Sequence, residues 1–163
     1  MSEYKKLIND INNRKFSPIY LIHGQENYFS DKIINHLVSN VINEDSVDFD
    51  LKKIYGKKSD ENQESEVIDF IKRFPLSGDY NLVVVKDSKN LSNDFNNIIS
   101  YLENFNSKSI LVLAFNEIID KRKKIYKSSK KNGVVFESKK IYENQVYKWI
   151  EDQCALMSLN LHP

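Results

Sequence analysis

Residues 19–34, IYLIHGQENYFSDKII, carry the clearest structural pattern of this 163-residue chain. A short apolar run ends at Gly24 and passes into apolar residues at helical spacing. A strand, a loop and a helix in this order form the layout in which many proteins hold a nucleotide phosphate. The stretch therefore predicts an α/β fold and raises the question of whether its loop binds a phosphate.

Four further apolar runs predict the rest of a sheet. Residues 82–85, 110–115 and 134–137 read as strands, and 49–55 is a weaker run that suits an edge strand. Three of the four clear strands lack alternation, which is typical of strands buried on both faces. Helical patterns alternate with the strands, so right-handed crossovers would cover both faces. The predicted architecture is a three-layer α/β sandwich with a five-stranded, mostly parallel sheet.

The helical patterns have recognisable starts and ends. Asn27 is a candidate N-cap for an apolar stripe over 33–42, and Ser92 precedes another stripe over 95–102. A further stripe covers 67–71. Residues 118–133 read as a short basic helix, which Asn132 and Gly133 would end in a left-handed conformation.

The last helical pattern, residues 142–163, carries Val146, Trp149, Ile150 and Cys154 on its apolar side. These side chains need a partner surface that the preceding residues do not obviously supply. We therefore expect the chain to be a fragment of a longer protein.

Composition indicates a soluble globular domain. Hydrophobic residues make up 40% and charged residues 29% of the chain, and the net charge of +1 gives no global attraction to nucleic acid or membrane. The single Cys154 excludes an intramolecular disulfide and offers no cysteine cluster for a metal. No run approaches the roughly 20 apolar residues that span a bilayer. These features predict a cytoplasmic protein without a metal or cofactor.

The loop after the first strand lacks the residues that bind phosphate. A P-loop reads G-x-x-x-x-G-K-[ST], and Gly24 supplies only its first glycine. Phe29 stands at the second glycine, Ser30 at the lysine and Asp31 at the hydroxyl residue. Phe29 would block the backbone approach, and Asp31 would repel a phosphate. We therefore predict a degenerate phosphate loop.

Other catalytic constellations are also missing. Lys86 and a lone Asp87 follow the 82–85 strand where an acidic pair would be expected, so Asp87 is interpreted as a turn residue. His23 is expected to end a strand and His36 to face solvent. The sequence thus predicts no enzymatic activity. The alternatives are a nucleotide-binding P-loop-type enzyme with a divergent loop and a receiver-like module, and Asn116 at a strand end disfavours the latter.

Three stretches together carry a family resemblance. Residues 17–34, 70–91 (FIKRFPLSGDYNLVVVKDSKNL) and 110–150 resemble, in this order, the delta subunit of the bacterial DNA polymerase III clamp loader. The resemblance implies an AAA+/P-loop-like fold without a working P-loop. It also implies an α/β domain over residues 1–140, and the first helix of a truncated helical lid domain over 141–163.

The resemblance further implies a non-catalytic role in DNA replication. A delta subunit binds the ring-shaped sliding clamp (beta subunit) and helps to open the ring. Its partners would include the delta-prime and tau/gamma subunits, and DNA through the assembled loader.

The family's clamp-contacting apolar pair falls on Leu76 and Ser77, after Phe74 and Pro75. Ser77 departs from the pattern, because a large apolar residue is usual there, and Phe74 is a candidate to share its role. Spacing alone favours the alternative that Phe74 and Leu76 are core residues leading into the strand at 82–85, and the resemblance shifts Leu76 towards the clamp. We expect Leu76 to contact the clamp and Phe74 to be partly core.

A basic run is the remaining candidate site, and its cations are Lys121, Arg122, Lys123, Lys124 and Lys127. A solvated helix face is the default interpretation, with contact to DNA or a neighbouring subunit as the functional one. Tyr126 is the only aromatic residue within the run, which disfavours a base-stacking platform.

Overall fold

The computed structural model describes residues 2–140 and the pairs 146–147, 150–151 and 154–155. Helices and strands alternate along the chain, except that two helices precede the second strand. They are α1 (Ser2–Asn12), β1 (Ile19–Gly24), α2 (Asn27–Val41), α3 (Val47–Asp50), β2 (Leu51–Tyr55), α4 (Gln63–Lys72), β3 (Asn81–Lys86), α5 (Asn96–Glu103), β4 (Ser109–Phe115), α6 (Lys124–Asn132) and β5 (Val134–Ser138).

The five strands form one sheet in the order β2-β3-β4-β1-β5, and every neighbouring pair is parallel. This confirms the predicted α/β class and the position of β2 at an edge. The edge strand begins at Leu51 rather than at residue 49, because residues 47–50 form the helical turn α3.

Alternating side chains of the central strands feed two separate cores. Ile19 and Leu21 of β1 belong to the core under α4, α5 and α6, whereas Tyr20 and Ile22 belong to the core under α1 and α2. Successive residues of a strand point to opposite faces of a sheet, so a strand covered on both sides must be apolar throughout. This is the physical reason for the unbroken apolar runs in the sequence.

Several predicted helix ends were wrong. Asn27 is the first residue of α2, and its N-cap is Glu26, whose Oε1 accepts a hydrogen bond from the Tyr28 amide at 3.1 Å. Helix α5, predicted as the apolar stripe over 95–102, begins at Asn96, and Phe95 is its N-cap residue, with φ 58°. Ser92 still contributes, because its hydroxyl accepts from the Phe95 amide at 3.2 Å.

The basic helix also differs from its prediction at both ends. It begins at Lys124 rather than at residue 118, because Asp120 closes a turn by accepting from the amides of Arg122 and Lys123. Gly133 is extended, with φ −168°, and is not left-handed. A Cβ at Gly133 would lie 2.2 Å from the Ile19 carbonyl oxygen, so glycine is needed there for close approach.

The predicted lid helix over 141–163, including Trp149, falls mostly on residues outside those described. Within the described part of the chain, every helix is too short or too polar to cross a membrane.

Candidate functional site

Two candidate sites lie at opposite ends of the sheet. The degenerate phosphate loop follows the carboxyl end of β1, whereas the segment with the predicted clamp-contacting residues precedes the amino end of β3. Because all strands are parallel, the carboxyl ends of the strands lie together at one end of the sheet and the amino ends lie together at the other. A ligand at one site would therefore leave the other exposed.

The two landmark residues of the phosphate loop serve the fold. Gly24 has φ 138°, and a Cβ there would lie 2.1 Å from the Ser138 carbonyl oxygen of β5. Phe29 is buried, and its ring packs edge-to-face on Tyr4 of α1 with 5.0 Å between centroids. Gly24 thus allows close approach of β5. Phe29, at the second glycine position of a P-loop, packs α2 against α1.

Carboxylates of the chain itself are paired with an amide and a lysine beside this loop. The Glu26 side chain accepts from the amide at the start of α2, where a P-loop would present its amides to phosphate. Asp31 Oδ1 lies 2.8 Å from Lys86 Nζ. The hydrogen bond to Asp31 raises the pKa of Lys86 against a smaller opposing effect of burial. One amide at the start of α2 and the lysine nearest to Asp31 are thus each paired with a carboxylate of the same chain.

The cavity beside the loop is small. It has a volume of about 140 Å³ and is lined by residues that include Ser30, Asp31 and Lys86. Sites for small molecules usually measure about 300–1,000 Å³. Asp87, with φ 50°, accepts a hydrogen bond from the Asn116 side chain and forms the predicted turn.

The two histidines differ in burial. His23 is buried at the end of β1, as predicted, and its Nδ1 accepts from the Ile119 amide at 3.4 Å. Burial lowers the pKa of His23, so the ring is neutral at pH 7. His36 is only partly exposed on α2, so its predicted solvent-facing position holds in part. In the part of the chain that the structure describes, no three His, Cys, Asp or Glu residues are grouped to hold a metal.

An exposed apolar corner, which we define as residues 74–77, lies at the amino end of the strands. Phe74 is 73% exposed and Leu76 69% exposed. Ile71 is the last fully buried residue before this corner, and Asn81 is the first after it. The expectation that Phe74 would be partly core was therefore wrong. Ser77 is also exposed and Pro75 is half-buried.

The start of the segment is held by side-chain amides. Asn81 Nδ2 donates to the Arg73 carbonyl oxygen at 2.6 Å, and Asn106 Nδ2 donates to the same oxygen at 3.0 Å. This oxygen lies at the end of α4, where helix carbonyls lack partners within the helix. Strand β3 and the loop before β4 therefore fix the backbone immediately before Phe74.

The end of the segment is held by a buried carboxylate from α3. Asp50 Oδ1 accepts from the Leu76 amide at 2.6 Å, and Oδ2 accepts from the amides of Ser77 at 2.9 Å and Gly78 at 2.6 Å. Burial by itself would raise the pKa of Asp50, but these three bonds and the nearby Arg73 charge outweigh it and lower the pKa. Asp50 is thus an ionised carboxylate inside the protein.

Sequence reasoning missed Asp50. The carboxylate and its donors are 26 to 28 positions apart, and no local motif joins them. Asp50 lies inside the strand predicted over 49–55, where nothing in the local sequence distinguishes it from an ordinary polar residue of an edge strand.

Further apolar groups surround the corner. Phe49, beside Asp50, is 52% exposed, and the Arg73 guanidinium donates to its carbonyl oxygen. Arg73 also lies 3.8 Å from the centroid of the Phe70 ring. On the other side, Phe74 borders a groove of about 630 Å³ between α4 and α5. Clustered apolar groups on a surface are typical of interaction sites, whereas single ones are ordinary.

The basic run is partly neutralised by acids of the same chain. Lys121 Nζ lies 3.5 Å from Glu137, and Arg122 lies 2.8 Å from Asp120. Hydrogen bonds from Arg122 lower the pKa of Asp120 to about 2. Lys123, Lys124 and Lys127 are exposed, and α6 is anchored through the buried Ile125. The cations of the run thus lie on the surface of the domain, and their role stays a prediction.

Comparison with known proteins agrees with the fold. Residues 20–139 match the sequence profile of the family described as DNA polymerase III, delta subunit. DNA polymerase III subunit delta of Bacillus subtilis is 25% identical over 134 residues, which cover 76% of this chain and 38% of that protein.

Two solved structures show the same fold. The DNA clamp loader delta protein of Bacillus subtilis superposes with a TM-score of 0.81 at 20% identity, over 94% of this chain and 48% of that one. A gamma subunit-related protein of DNA polymerase III from Thermotoga maritima gives 0.55 at 16% identity, over 91% and 49%. The chain thus spans less than half the length of the proteins it matches. Its α/β architecture is AAA+-like, and by the extent of the sequence match the chain belongs to the DNA polymerase III delta subunit family.

Proposed function

We propose that this chain is the clamp-binding part of a clamp-loader delta subunit. The apolar corner, residues 74–77, would hold the sliding clamp (beta subunit) and help to open the ring during DNA replication. The observation that carries the proposal is that Leu76 is 69% exposed although its backbone is fixed by a buried carboxylate. A large apolar side chain that is both exposed and held in place suits a partner's pocket.

The energetics of such a contact favour a few anchors. Burying one leucine side chain in a partner releases its apolar surface from water, at about 25 cal/mol per Å². Rigid presentation also reduces the entropy lost on docking. Truncation of one true anchor costs about 2–4 kcal/mol of binding free energy. We therefore expect Leu76→Ala to weaken clamp binding by that amount.

The same proposal makes the chain non-catalytic. Glu26 and the Asp31–Lys86 pair leave the phosphate loop neutralised by its own side chains. ATP would be handled by sister subunits of the same loader, the partners would include the delta-prime and tau/gamma subunits, and DNA would be reached through the assembled loader in the cytoplasm. Residues 141–163 would then begin a helical lid, a division that stays a prediction.

The decisive experiment is a binding assay of the chain against the sliding clamp of its own organism. Leu76→Asp should abolish binding while the far-UV circular dichroism and the thermal midpoint stay close to those of the wild type. The matched control is Ile118→Asp. Ile118 is 57% exposed and follows the carboxyl end of β4, at the other end of the sheet from Leu76. This control should bind like the wild type. A folded Leu76→Asp variant with unchanged affinity would refute the assignment.

A further inference from the structure

The turn α3 and the apolar corner are joined by one buried ion. Asp50 is fully buried, and all three hydrogen bonds recorded for its carboxylate come from backbone amides of Leu76, Ser77 and Gly78. Three successive amides converging on one carboxylate form a tight anion-binding arrangement. Here the anion is supplied by the protein itself, and the segment that it binds begins at Leu76, which is 69% exposed.

The corner is short enough for these bonds to set its shape. Arg73 is fixed at one end by the side-chain amides of Asn81 and Asn106, and Leu76 is fixed at the other by Asp50. Only Phe74 and Pro75 lie between the two attachment points. Proline restricts its own backbone, so few conformations remain for this stretch. We therefore expect the hydrogen bond from the Leu76 amide to Asp50 of α3 to set the direction in which the Leu76 side chain projects.

Gly78 shows how closely the turn and the segment approach each other. A Cβ on Gly78 would lie 3.2 Å from the Ser46 hydroxyl oxygen and 3.4 Å from Asp50 Oδ2. Just beyond it, Asp79 pairs with Arg14 at 3.1 Å, and Arg14 donates to the Asn40 carbonyl oxygen at 2.8 Å. The segment is thus tied to the body of the domain on both sides of the carboxylate.

We propose that Asp50 is a positioning residue for partner binding: its carboxylate holds the Leu76–Gly78 backbone in the conformation that presents Leu76 to the clamp. The proposal rests on the clamp-binding function proposed above. Asp50 itself is buried and would not touch the partner. Its contribution is to order the segment before docking, so that the ordering entropy is not lost at the moment of binding.

The test combines clamp affinity with amide hydrogen exchange in the full chain. Asp50→Asn keeps the size of the side chain but turns one acceptor oxygen into a donor facing amide donors. We expect the protection of the Leu76, Ser77 and Gly78 amides to fall at least tenfold. The amides of β3 and β4 should keep their protection, and clamp affinity should fall about tenfold or more.

Two further variants make the result specific. Asp48→Asn, the same change at an exposed aspartate two residues earlier, should leave exchange and affinity unchanged. Asp50→Glu keeps the charge and should restore part of both. If Asp50→Asn does not fold, Asp50→Glu decides, because lost amide protection with wild-type affinity in that variant overturns the proposal.

The outcomes separate this inference from the proposed function. Wild-type chain that binds the clamp, together with a folded Asp50→Asn variant of equal affinity, overturns the positioning role alone. Wild-type chain that does not bind the clamp overturns both. Loss of affinity in Asp50→Asn with wild-type exchange at Leu76–Gly78 also overturns the positioning role, because the effect would then not pass through the segment.

Discussion

Asp31 on the first turns of α2 and Lys86 at the end of β3 form an ion pair, with 2.8 Å between Oδ1 and Nζ. In a working phosphate loop a lysine and a hydroxyl near this helix would serve the nucleotide and its metal. In this chain the nearby lysine is paired with a carboxylate of the loop itself. The strand and helix are arranged as in a phosphate loop, but the positive charge near them is paired with a carboxylate of the same chain.

This pairing predicts that ATP does not bind. Calorimetric titration of the chain with ATP and Mg²⁺ should give no saturable heat at millimolar nucleotide. Lys86 and Asp31 are both partly exposed, so the pair itself should add less than about 1 kcal/mol to stability. Micromolar ATP binding would instead support the alternative of a nucleotide-binding enzyme with a divergent loop.

Gly24→Ala should destabilise the fold although no phosphate is bound. The substitution places a Cβ 2.1 Å from the Ser138 carbonyl oxygen, at a φ of 138° that other residues rarely adopt. Backbone strain and overpacking together predict a loss of about 2–5 kcal/mol in the free energy of unfolding, measured by urea denaturation. Gly78→Ala is the comparison, since its nearest contact would be a hydroxyl at 3.2 Å, and its loss should be much smaller. Equal losses in the two variants would contradict this reading of Gly24.

The buried Asp50 predicts a specific acid sensitivity. Its pKa is lowered in the folded state from the ordinary 3.8, so its contribution to stability is fully present above that value. The contribution is lost as the pH falls through the lower, folded-state pKa. Asp50→Asn should therefore cost roughly 2–4 kcal/mol at pH 7. The difference in unfolding free energy from the wild type should shrink below about pH 4. A difference that stays constant down to pH 2 would be inconsistent with an ionised Asp50.

The basic run should contribute little to DNA binding. Each phosphate contact adds about 0.9 to the slope of log affinity against log salt concentration. If Lys124 and Lys127 form a solvated face, the double variant Lys124→Glu, Lys127→Glu should leave that slope within about 0.5 of the wild-type value. Fluorescence anisotropy with duplex DNA at several salt concentrations measures it. A decrease near 1.8 would show that both lysines contact phosphate.

The sequence was informative where burial leaves a repeating pattern. The apolar runs at Ile19, Leu82 and Ile110 revealed the central strands because a strand covered on both faces has no solvent side. The sequence also predicted the degenerate phosphate loop, because Phe29 and Asp31 stand where a P-loop requires a glycine and a serine or threonine.

Helix ends and the corner were less predictable. The N-cap moved from Asn27 to Glu26 because the longer carboxylate reaches the Tyr28 amide. Phe74 was expected to be partly core, yet it is exposed because the core at this edge is already closed by Ile71. Neither result follows from local spacing, since each depends on which neighbour fills the available space.

The α/β class, the parallel strands, the degenerate phosphate loop and the family could all be read from the amino-acid sequence. Residue type and period report directly on burial and on local chemistry. Only the tertiary structure brought Asp50 to the amides of Leu76, Ser77 and Gly78, and only it left Leu76 facing solvent. A hydrogen bond between residues 26 positions apart exists only once the sheet has brought them together, so no window of sequence contains it.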